Sequence, residues 1–252
     1  MEFLLLDRNN AVATVTLNRP EKRNALSPGL VRELLDVFTA LRSDDTVKVV
    51  VLRGEGKAFC AGADLAYLQQ LSEFSVLENM SDSRLLQETL HAIYTCPKPV
   101  IAQVHGPAIA GGCGLATVCD FIVAARSKAL FGYSEVKIGF IPAIVMVYLI
   151  RKIGETQARR LLLSAENISA EEAYRIGFVT HLVDDEVLAE AVASLAETLA
   201  SNSASAMMLT KEMLNNLHGM SLDAGLRYAS SMNALARQTD DCREGIARFL
   251  QK

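Results

Sequence analysis

The feature that most constrains this sequence is a recurring unit: a short buried strand, a turn of small residues, and a helix. VKVVVLRGEG at 47–56 is a β-branched run closed by glycines, and the turn KAFCAGADL and an apolar-periodic segment follow it. VIAQV at 100–104 leads into the glycine loop AGGCGLATVCD at 110–120, and a further strand, FIVAA, starts at Phe121. This alternation predicts an α/β fold.

Turn and capping residues place the other early elements. The alternating stretch AVATVTL at 11–17 predicts a strand that ends in a turn. Ser27 and Pro28 are a typical helix start, and the apolar spacing continues to about Arg42. A second amphipathic helix is predicted over about 83–94.

The last part of the chain has the composition of helices. After Ile138 we expect helical structure, with a capping box starting at Ser169 and a helix stop near Gly177. Long segments rich in Ala, Leu and Met follow. We therefore predict a mixed core over residues 1–185 and a C-terminal helical region over 186–252.

Composition excludes several classes of protein. The 252 residues carry a net charge of −4 with scattered Lys and Arg, which argues against nucleic acid as a partner. The first ten residues lack a basic leader, and the longest apolar run, 140–150, is too short to span a membrane. We predict a soluble, cytoplasmic protein without membrane contact, although a processed organellar protein would have the same composition. The five cysteines are an odd number without close pairs, which is typical of reduced thiols.

The residues of the glycine loop argue against a metal site and a nucleotide loop, and they leave two interpretations open. Cys113 and Cys119 are six apart without a Cys-x-x-Cys partner, and His105 is the nearest histidine, so we expect no metal site. Thr117 stands where a dinucleotide loop needs glycine, and the lysine of a P-loop is absent. Either the glycines expose N–H groups to a ligand, such as a carbonyl oxygen becoming an enolate, or they allow tight helix–strand packing.

KAFCAGADL is a second turn of small residues that follows a buried strand, and it is one of several segments that resemble a known family. With PKPVIAQVHGPAIAGGCGLATVCD, FGYSEVKIGFIPA, LNRPEKRNALS and EGIARFLQK, it resembles the crotonase superfamily, the enoyl-CoA hydratase/isomerase family, along essentially the whole chain. The resemblance implies a crotonase-like spiral of repeated ββα units with a C-terminal helical trimerisation region. It also implies an acyl-CoA thioester substrate, with the thioester oxygen held by the backbone N–H groups of Ala63 and Gly111.

The same resemblance implies contacts for coenzyme A, which is part of the substrate, so that no separate cofactor is expected. The Ala61 carbonyl would contact the adenine, and the turn at Asn24, Ala25 and Leu26 would border the pantetheine together with Asp64 and Leu65. Gly112 would let the substrate approach. In a homotrimer or homohexamer, Phe249 and Lys252 would reach the nucleotide of the adjoining subunit, although Phe249 also fits an apolar helix face.

The family's hydratases use two catalytic glutamates, and only one of them has a counterpart in this sequence. Their first glutamate corresponds to Gly114, whereas the second corresponds to Glu135 in FGYSEVKIG. One glutamate supports proton transfer between two carbons more readily than hydration, and single-glutamate members include Δ3-Δ2-enoyl-CoA isomerases. The resemblance therefore favours isomerisation, with Glu135 as base and then acid.

Other functions stay open at this point. Hydration would need another group to orient water, and the sequence does not rank Tyr67, Tyr133 and Glu78 for that role. Decarboxylation, thioester hydrolysis and non-catalytic acyl-CoA binding are further alternatives on the same scaffold. We interpret His91, His105 and Cys60 as packing or hydrogen-bonding residues.

Overall fold

The computed structural model describes residues 1–250, apart from the side chain of Leu65, and contains two sheets surrounded by helices. The strands are β1 Leu4–Asn9, β2 Val12–Leu17, β3 Val49–Gly54, β4 Val100–Val104, β5 Pro107–Ile109, β6 Phe121–Ala125, β7 Leu130–Gly132, β8 Asn167–Ser169 and β9 His181–Val183. The helices are α1 Pro28–Arg42, α2 Leu65–Leu71, α3 Val76–Tyr94, α4 Gly111–Thr117, α5 Ala143–Ser164, α6 Ala170–Arg175, α7 Leu188–Ala200, α8 Ala204–Leu217, α9 Leu222–Ala236 and α10 Asp240–Leu250. Short 3-10 turns cover Pro20–Lys22, Glu135–Ile138 and Asp185–Val187.

The larger sheet has the order β1-β2-β3-β4-β6-β9, and the smaller has the order β5-β7-β8. All neighbours in the larger sheet are parallel except β1 and β2, while β7 and β8 are the antiparallel pair of the smaller sheet. The sequences of β3 and β4 are nearly continuous runs of apolar residues, because helices cover both faces of these parallel strands.

The chain alternates between the two sheets, which produces the ββα repeat. β4 lies in the large sheet, β5 in the small sheet, and α4 follows; β6, β7 and α5 repeat the pattern. After β3 the chain again reaches the edge of the small sheet, where Cys60 forms a bridge with Ala108 before α2. The predicted α/β fold with recurring strand–turn–helix units is confirmed.

The predicted elements are present, but several boundaries differ. The Ser27 side chain caps α1 as expected. α3 begins at Val76 rather than near residue 83, because Ser75 and Glu78 form a capping box at its start. This capping box was not predicted from the sequence. β1 was missed, since it is an edge strand in which only Leu4 is buried, and its alternation is weak.

The chain after Ile138 is mainly helical as predicted, but two short strands interrupt the helices. β8 and β9 are three residues each, too short to show a period-two pattern, and they add to the edges of the two sheets. Gly154 has φ 76° and ψ 165°, which divides α5 into two helical segments.

Of the C-terminal helices, α7 packs onto the larger sheet, and α8 packs with α9 and α10. Leu188, Val192 and Ala196 of α7 cover the face formed by residues such as Val49 and Ile101. The boundary at residues 185 and 186 stays a prediction. Within the described chain, no helix combines the length and apolar content needed to cross a membrane.

Candidate active site

A cavity of about 530 Å³ lies where the two small-residue loops meet α1, α2, α3 and the start of α5. Its walls are mainly aliphatic and aromatic, with Leu26, Val31, Leu68, Leu71, Leu85, Leu86, Phe140, Ile141, Ile144 and Val145. Backbone of Ala63, Ala110 and Gly111 borders it, and its polar side chains include Tyr67, Asp82, Glu135 and Lys137. This composition suits an apolar ligand with one polar, reacting end.

Main-chain hydrogen bonds tie the two loops together. Cys60 N donates to Pro107 O at 3.2 Å, and Ile109 N donates to Cys60 O at 3.0 Å. On the other side, Leu26 N donates to Gly62 O at 2.7 Å and Asp64 N donates to Leu26 O at 2.9 Å. The loop that contains Ala63 is therefore held between β5 and the turn before α1.

Two backbone N–H groups beside the cavity have no acceptor among the described residues. Within residues 1–250, the N–H groups of Ala63 and Gly111 donate no hydrogen bond, and both residues border the cavity. Gly111 is the first residue of α4, where helical N–H groups lack an intrahelical acceptor. The residues before the two donors, Gly62 and Ala110, have φ of +91° and 50°. Such conformations are costly for Ala110 and cluster at functional sites.

The glycines of the loop divide between the two interpretations that the sequence left open. A Cβ at Gly112 would overlap the carbonyl oxygen of Cys60, so Gly112 permits tight packing and is itself buried. A Cβ at Gly111 would meet only Cδ1 of Leu26, at 3.0 Å, and Gly111 borders the cavity. Gly112 is not among the residues that line the cavity, and its predicted role in admitting the substrate stays a prediction.

Val145 occupies the space beside Gly114. A Cβ at Gly114 would overlap Cγ1 of Val145, a buried cavity residue of α5, and would lie 3.3 Å from its Cβ. A longer side chain at position 114 does not fit without displacing Val145. The wall at this point is apolar.

Glu135 is a carboxylate with an unsatisfied oxygen. It begins the 3-10 turn Glu135–Ile138 and borders the cavity. Its Oε2 is buried and has no hydrogen-bond partner among the described residues. Burial raises the pKa of Glu135 above its ordinary value, because the charged form is poorly solvated there. The raised pKa makes this carboxylate a stronger base than an ordinary glutamate, which suits a group that takes up and releases a proton during catalysis.

Comparison with known proteins places this geometry in a family. The family model described as "Enoyl-CoA hydratase/isomerase" matches residues 7–252. The chain belongs to the enoyl-CoA hydratase/isomerase family. A putative enoyl-CoA hydratase of Thermus thermophilus is 46% identical over 96% of this chain and 95% of its own length. A crotonyl-CoA hydratase of Syntrophomonas wolfei is 36% identical over 100% of this chain and 96% of its own.

The fold agrees with that membership. An enoyl-CoA hydratase of Mycobacterium smegmatis superimposes with a TM-score of 0.94 at 32% identity, covering 99% of this chain and 96% of the other. The chain thus has the crotonase fold expected from its motifs and is an acyl-CoA enzyme of this family.

Several residues expected at the coenzyme A site lie beside the cavity rather than in its wall. Asp64 caps α2 and pairs with Arg19 at 3.1 Å, and the same arginine donates to Ala25 O at 2.6 Å. Ala61 N donates to Arg23 O at 3.0 Å. These interactions order the turn before α1, and the sequence reading missed the contribution of Arg19.

The predicted C-terminal contacts stay predictions. Phe249 lies on α10 and is 79% exposed, away from the cavity of its own chain. Lys252 and the side chain of Leu65 lie outside the part of the chain that the structure describes.

The three polar residues that the sequence left as candidates to orient water occupy different positions relative to the cavity. Tyr67 borders the cavity and donates to Oδ1 of Asp82 at 2.6 Å. Tyr133 is fully buried against Thr117, with 2.6 Å between their oxygens, and Glu78 caps α3 at the surface. Asp82 was not singled out from sequence, because an isolated aspartate on a helix gives no signal of facing a cavity.

His105 and Cys60 each have a local environment that accounts for them without a catalytic role. His105 Nε2 lies 3.0 Å from Gly56 O, and burial raises the pKa of the Cys60 thiol to about 12. A thiol with that pKa is a poor nucleophile at neutral pH. The cysteines of the described chain are free thiols, and no cluster of three or more potential metal ligands occurs among the described residues.

Proposed function

We propose that this protein binds an acyl-CoA thioester with its carbonyl oxygen between the N–H groups of Ala63 and Gly111. The observation that carries the proposal is the presence of two unpaired backbone donors and one unpaired carboxylate, Glu135, around a single apolar cavity. Enolisation moves negative charge onto the thioester oxygen, and one preorganised donor at such an oxygen is worth about 2.7 to 4 kcal/mol.

Glu135 would transfer the proton between carbons. Its carboxylate takes a proton from C2 of a 3-enoyl-CoA, and the electron pair passes through C2 and C1 to the thioester oxygen. The resulting dienolate then takes the proton back from Glu135 at C4, which leaves the double bond between C2 and C3. One carboxylate serves as base and then as acid, so the sequence of steps is balanced without another reactant.

The packing of Gly114 supports isomerisation over hydration by two carboxylates. The position that corresponds to the first glutamate of the family's hydratases has no side chain, and Val145 fills the space. A water molecule beside Val145 would find no carboxylate from this position to orient it.

Hydration is the second candidate, and the names of the relatives favour it. The Thermus thermophilus and Syntrophomonas wolfei relatives are both named as hydratases. For this chain, hydration would need Glu135 to act with another polar group of the cavity, of which Tyr67 and Asp82 are a hydrogen-bonded pair. Decarboxylation, thioester hydrolysis and non-catalytic binding would use the same oxyanion donors without this proton shuttle.

We also propose that the coenzyme A part of the substrate lies along Ala25, Ala61 and Asp64, and that the chain assembles as a trimer or hexamer. Exposed apolar residues on α8 to α10 support an assembly surface, and they include Leu214, Leu222, Leu226, Leu235 and Phe249. In such an assembly, Phe249 and Lys252 would contact the nucleotide bound to the neighbouring subunit.

Incubation with 2-enoyl- and 3-enoyl-CoAs in deuterated water, followed by mass spectrometry, tests the proposal. Double-bond migration without added water supports isomerisation. Gain of the mass of water establishes hydration, while loss of carbon dioxide or release of free coenzyme A identifies the other reactions. Binding without any of these products would contradict a catalytic role.

A further inference from the structure

The wall formed by α2 and α3 contains one hydrogen-bonded polar pair, with Ser83 as a further polar residue among apolar side chains. Tyr67 on α2 and Asp82 on α3 border the cavity beside Leu68, Leu71 and Leu86. The bond from Tyr67 Oη to Asp82 Oδ1 is the one hydrogen bond that either side chain makes within the described residues. Asp82 is only partly buried, and its carboxylate keeps acceptor capacity beyond the bond to Tyr67 at the border of the cavity.

The pair presents acceptors to the cavity. The single Tyr67 proton is already directed at Asp82, and both the phenol oxygen and the carboxylate retain lone pairs. Burial and the neighbouring Asp82 raise the pKa of Tyr67 above its ordinary value, so it remains a phenol at neutral pH. A ligand hydroxyl can therefore donate to this pair, whereas a ligand carboxylate would face a like charge.

The position of the pair relative to the oxyanion donors follows from the start of α2. Asp64 caps the helix directly after Ala63, so Tyr67 follows within its first turn. Four residues at the rise of an α-helix correspond to about 6 Å along the axis. With the thioester carbonyl at Ala63, this spacing is the basis for assigning the distal part of the acyl chain to Tyr67 and Asp82.

We infer that Tyr67 and Asp82 form a specificity subsite for acyl-CoA thioesters that carry a hydroxyl group on the distal part of the acyl chain. The inference rests on the proposed function, because it assumes that the thioester is placed at Ala63 and Gly111. It adds the class of substrate: hydroxylated chains preferred over unsubstituted chains, and chains with a distal carboxylate disfavoured.

The test compares three 3-enoyl-CoAs of equal chain length with a terminal methyl, hydroxyl or carboxylate group. We expect kcat/KM to be about tenfold higher for the hydroxylated substrate than for the unsubstituted one, as one hydrogen bond to a charged group would give. Asp82→Leu should remove this preference, so that kcat/KM for the hydroxylated substrate falls to the value for the unsubstituted one. Tyr67→Phe should reduce the preference and keep Asp82 as an acceptor.

Matched controls separate recognition from folding. Asp36→Asn and Tyr174→Phe remove the same kinds of group from exposed positions outside the cavity, and both should retain the preference of the unaltered protein. Equal loss of activity towards all three substrates in Asp82→Leu and Tyr67→Phe would overturn the inference, since the pair would then only join α2 to α3. Absence of any preference in the unaltered protein would overturn it as well.

A binding measurement keeps the two proposals distinguishable. Saturated acyl-CoAs with and without the distal hydroxyl contain no double bond to move, so calorimetric titration reports the subsite independently of turnover. Tighter binding of the hydroxylated compound that disappears in Asp82→Leu supports the subsite even if no enoyl-CoA is converted. Equal binding of both compounds contradicts it even if the protein is an active isomerase.

Discussion

Cγ1 of Val145 occupies the space that a side chain at Gly114 would enter. Gly114→Ala should therefore lower the free energy of unfolding by about 1–3 kcal/mol through overpacking. Val145→Ala in the same chain should recover part of that loss, because it removes the clash with Cγ1, while the Cβ of residue 145 remains as a tight contact at 3.3 Å. Denaturant titration of the two single variants and the double variant measures the coupling, and strictly additive effects would contradict it. Gly245→Ala, where no atom lies within 4 Å, is the control.

The same pair offers a way to change the reaction. Gly114→Glu together with Val145→Ala should place a second carboxylate in the cavity and raise the ratio of hydration to isomerisation at least tenfold, because two carboxylates can position and deprotonate water. The ratio is measured from products of a 2-enoyl-CoA and a 3-enoyl-CoA. An unchanged ratio in a folded double variant would show that position 114 does not face the reacting carbons.

Glu135→Gln should lower kcat by about 10²–10⁴-fold, the usual contribution of a general base, while leaving binding of a saturated acyl-CoA nearly unchanged. Single-turnover kinetics and calorimetric titration measure the two effects. Glu190→Gln, at an exposed position on α7, is the control for loss of a carboxylate. Full activity in Glu135→Gln would remove this residue from the mechanism.

The raised pKa of Glu135 predicts opposite pH effects on activity and stability. Activity of the base form should rise with pH through a midpoint above 4.5, the ordinary value for glutamate. The folded chain binds the Glu135 proton more tightly than the unfolded chain, so stability falls as pH rises from 4.5 through the raised pKa. Glu135→Gln should lack this fall, which thermal unfolding across pH detects. Parallel stability curves for both proteins would contradict the pKa shift.

Gly111 and Gly112 should respond differently to the same substitution. Gly112→Ala places a Cβ against the Cys60 carbonyl oxygen and should destabilise the fold by about 1–3 kcal/mol or more. Gly111→Ala meets only the end of the Leu26 side chain, so the protein should fold normally and show a raised KM for its thioester. Thermal unfolding and steady-state kinetics compare the two, and a similar loss of stability in both would contradict the division of roles.

Local patterns predicted the fold well where elements are long or strongly punctuated. Ser27 and Pro28 marked α1, and the apolar run VIAQV marked β4, because capping and burial leave a signal within a few residues. β8 and β9 were missed because three-residue strands depend on partners distant in sequence.

The candidate site was likewise easier to predict where its residues lie in one contiguous segment of the sequence. Motifs located Ala63, Gly111 and Glu135, since each lies in a contiguous segment with a family pattern. The packing of Val145 against Gly114 and the hydrogen bond between Tyr67 and Asp82 each join residues of two different helices. No pattern of spacing in the sequence predicts such pairs.

The ladder that holds the loop around Ala63 consists of main-chain bonds to Leu26 and to β5. The place where a thioester oxygen would lie is therefore fixed by atoms that every residue type provides. Side chains around the cavity can change size, charge or hydrogen-bonding capacity without moving that anchor. Under the proposed function, a constant polarising element is thus separate from an exchangeable lining, and we expect that the chemistry can be redirected one side chain at a time.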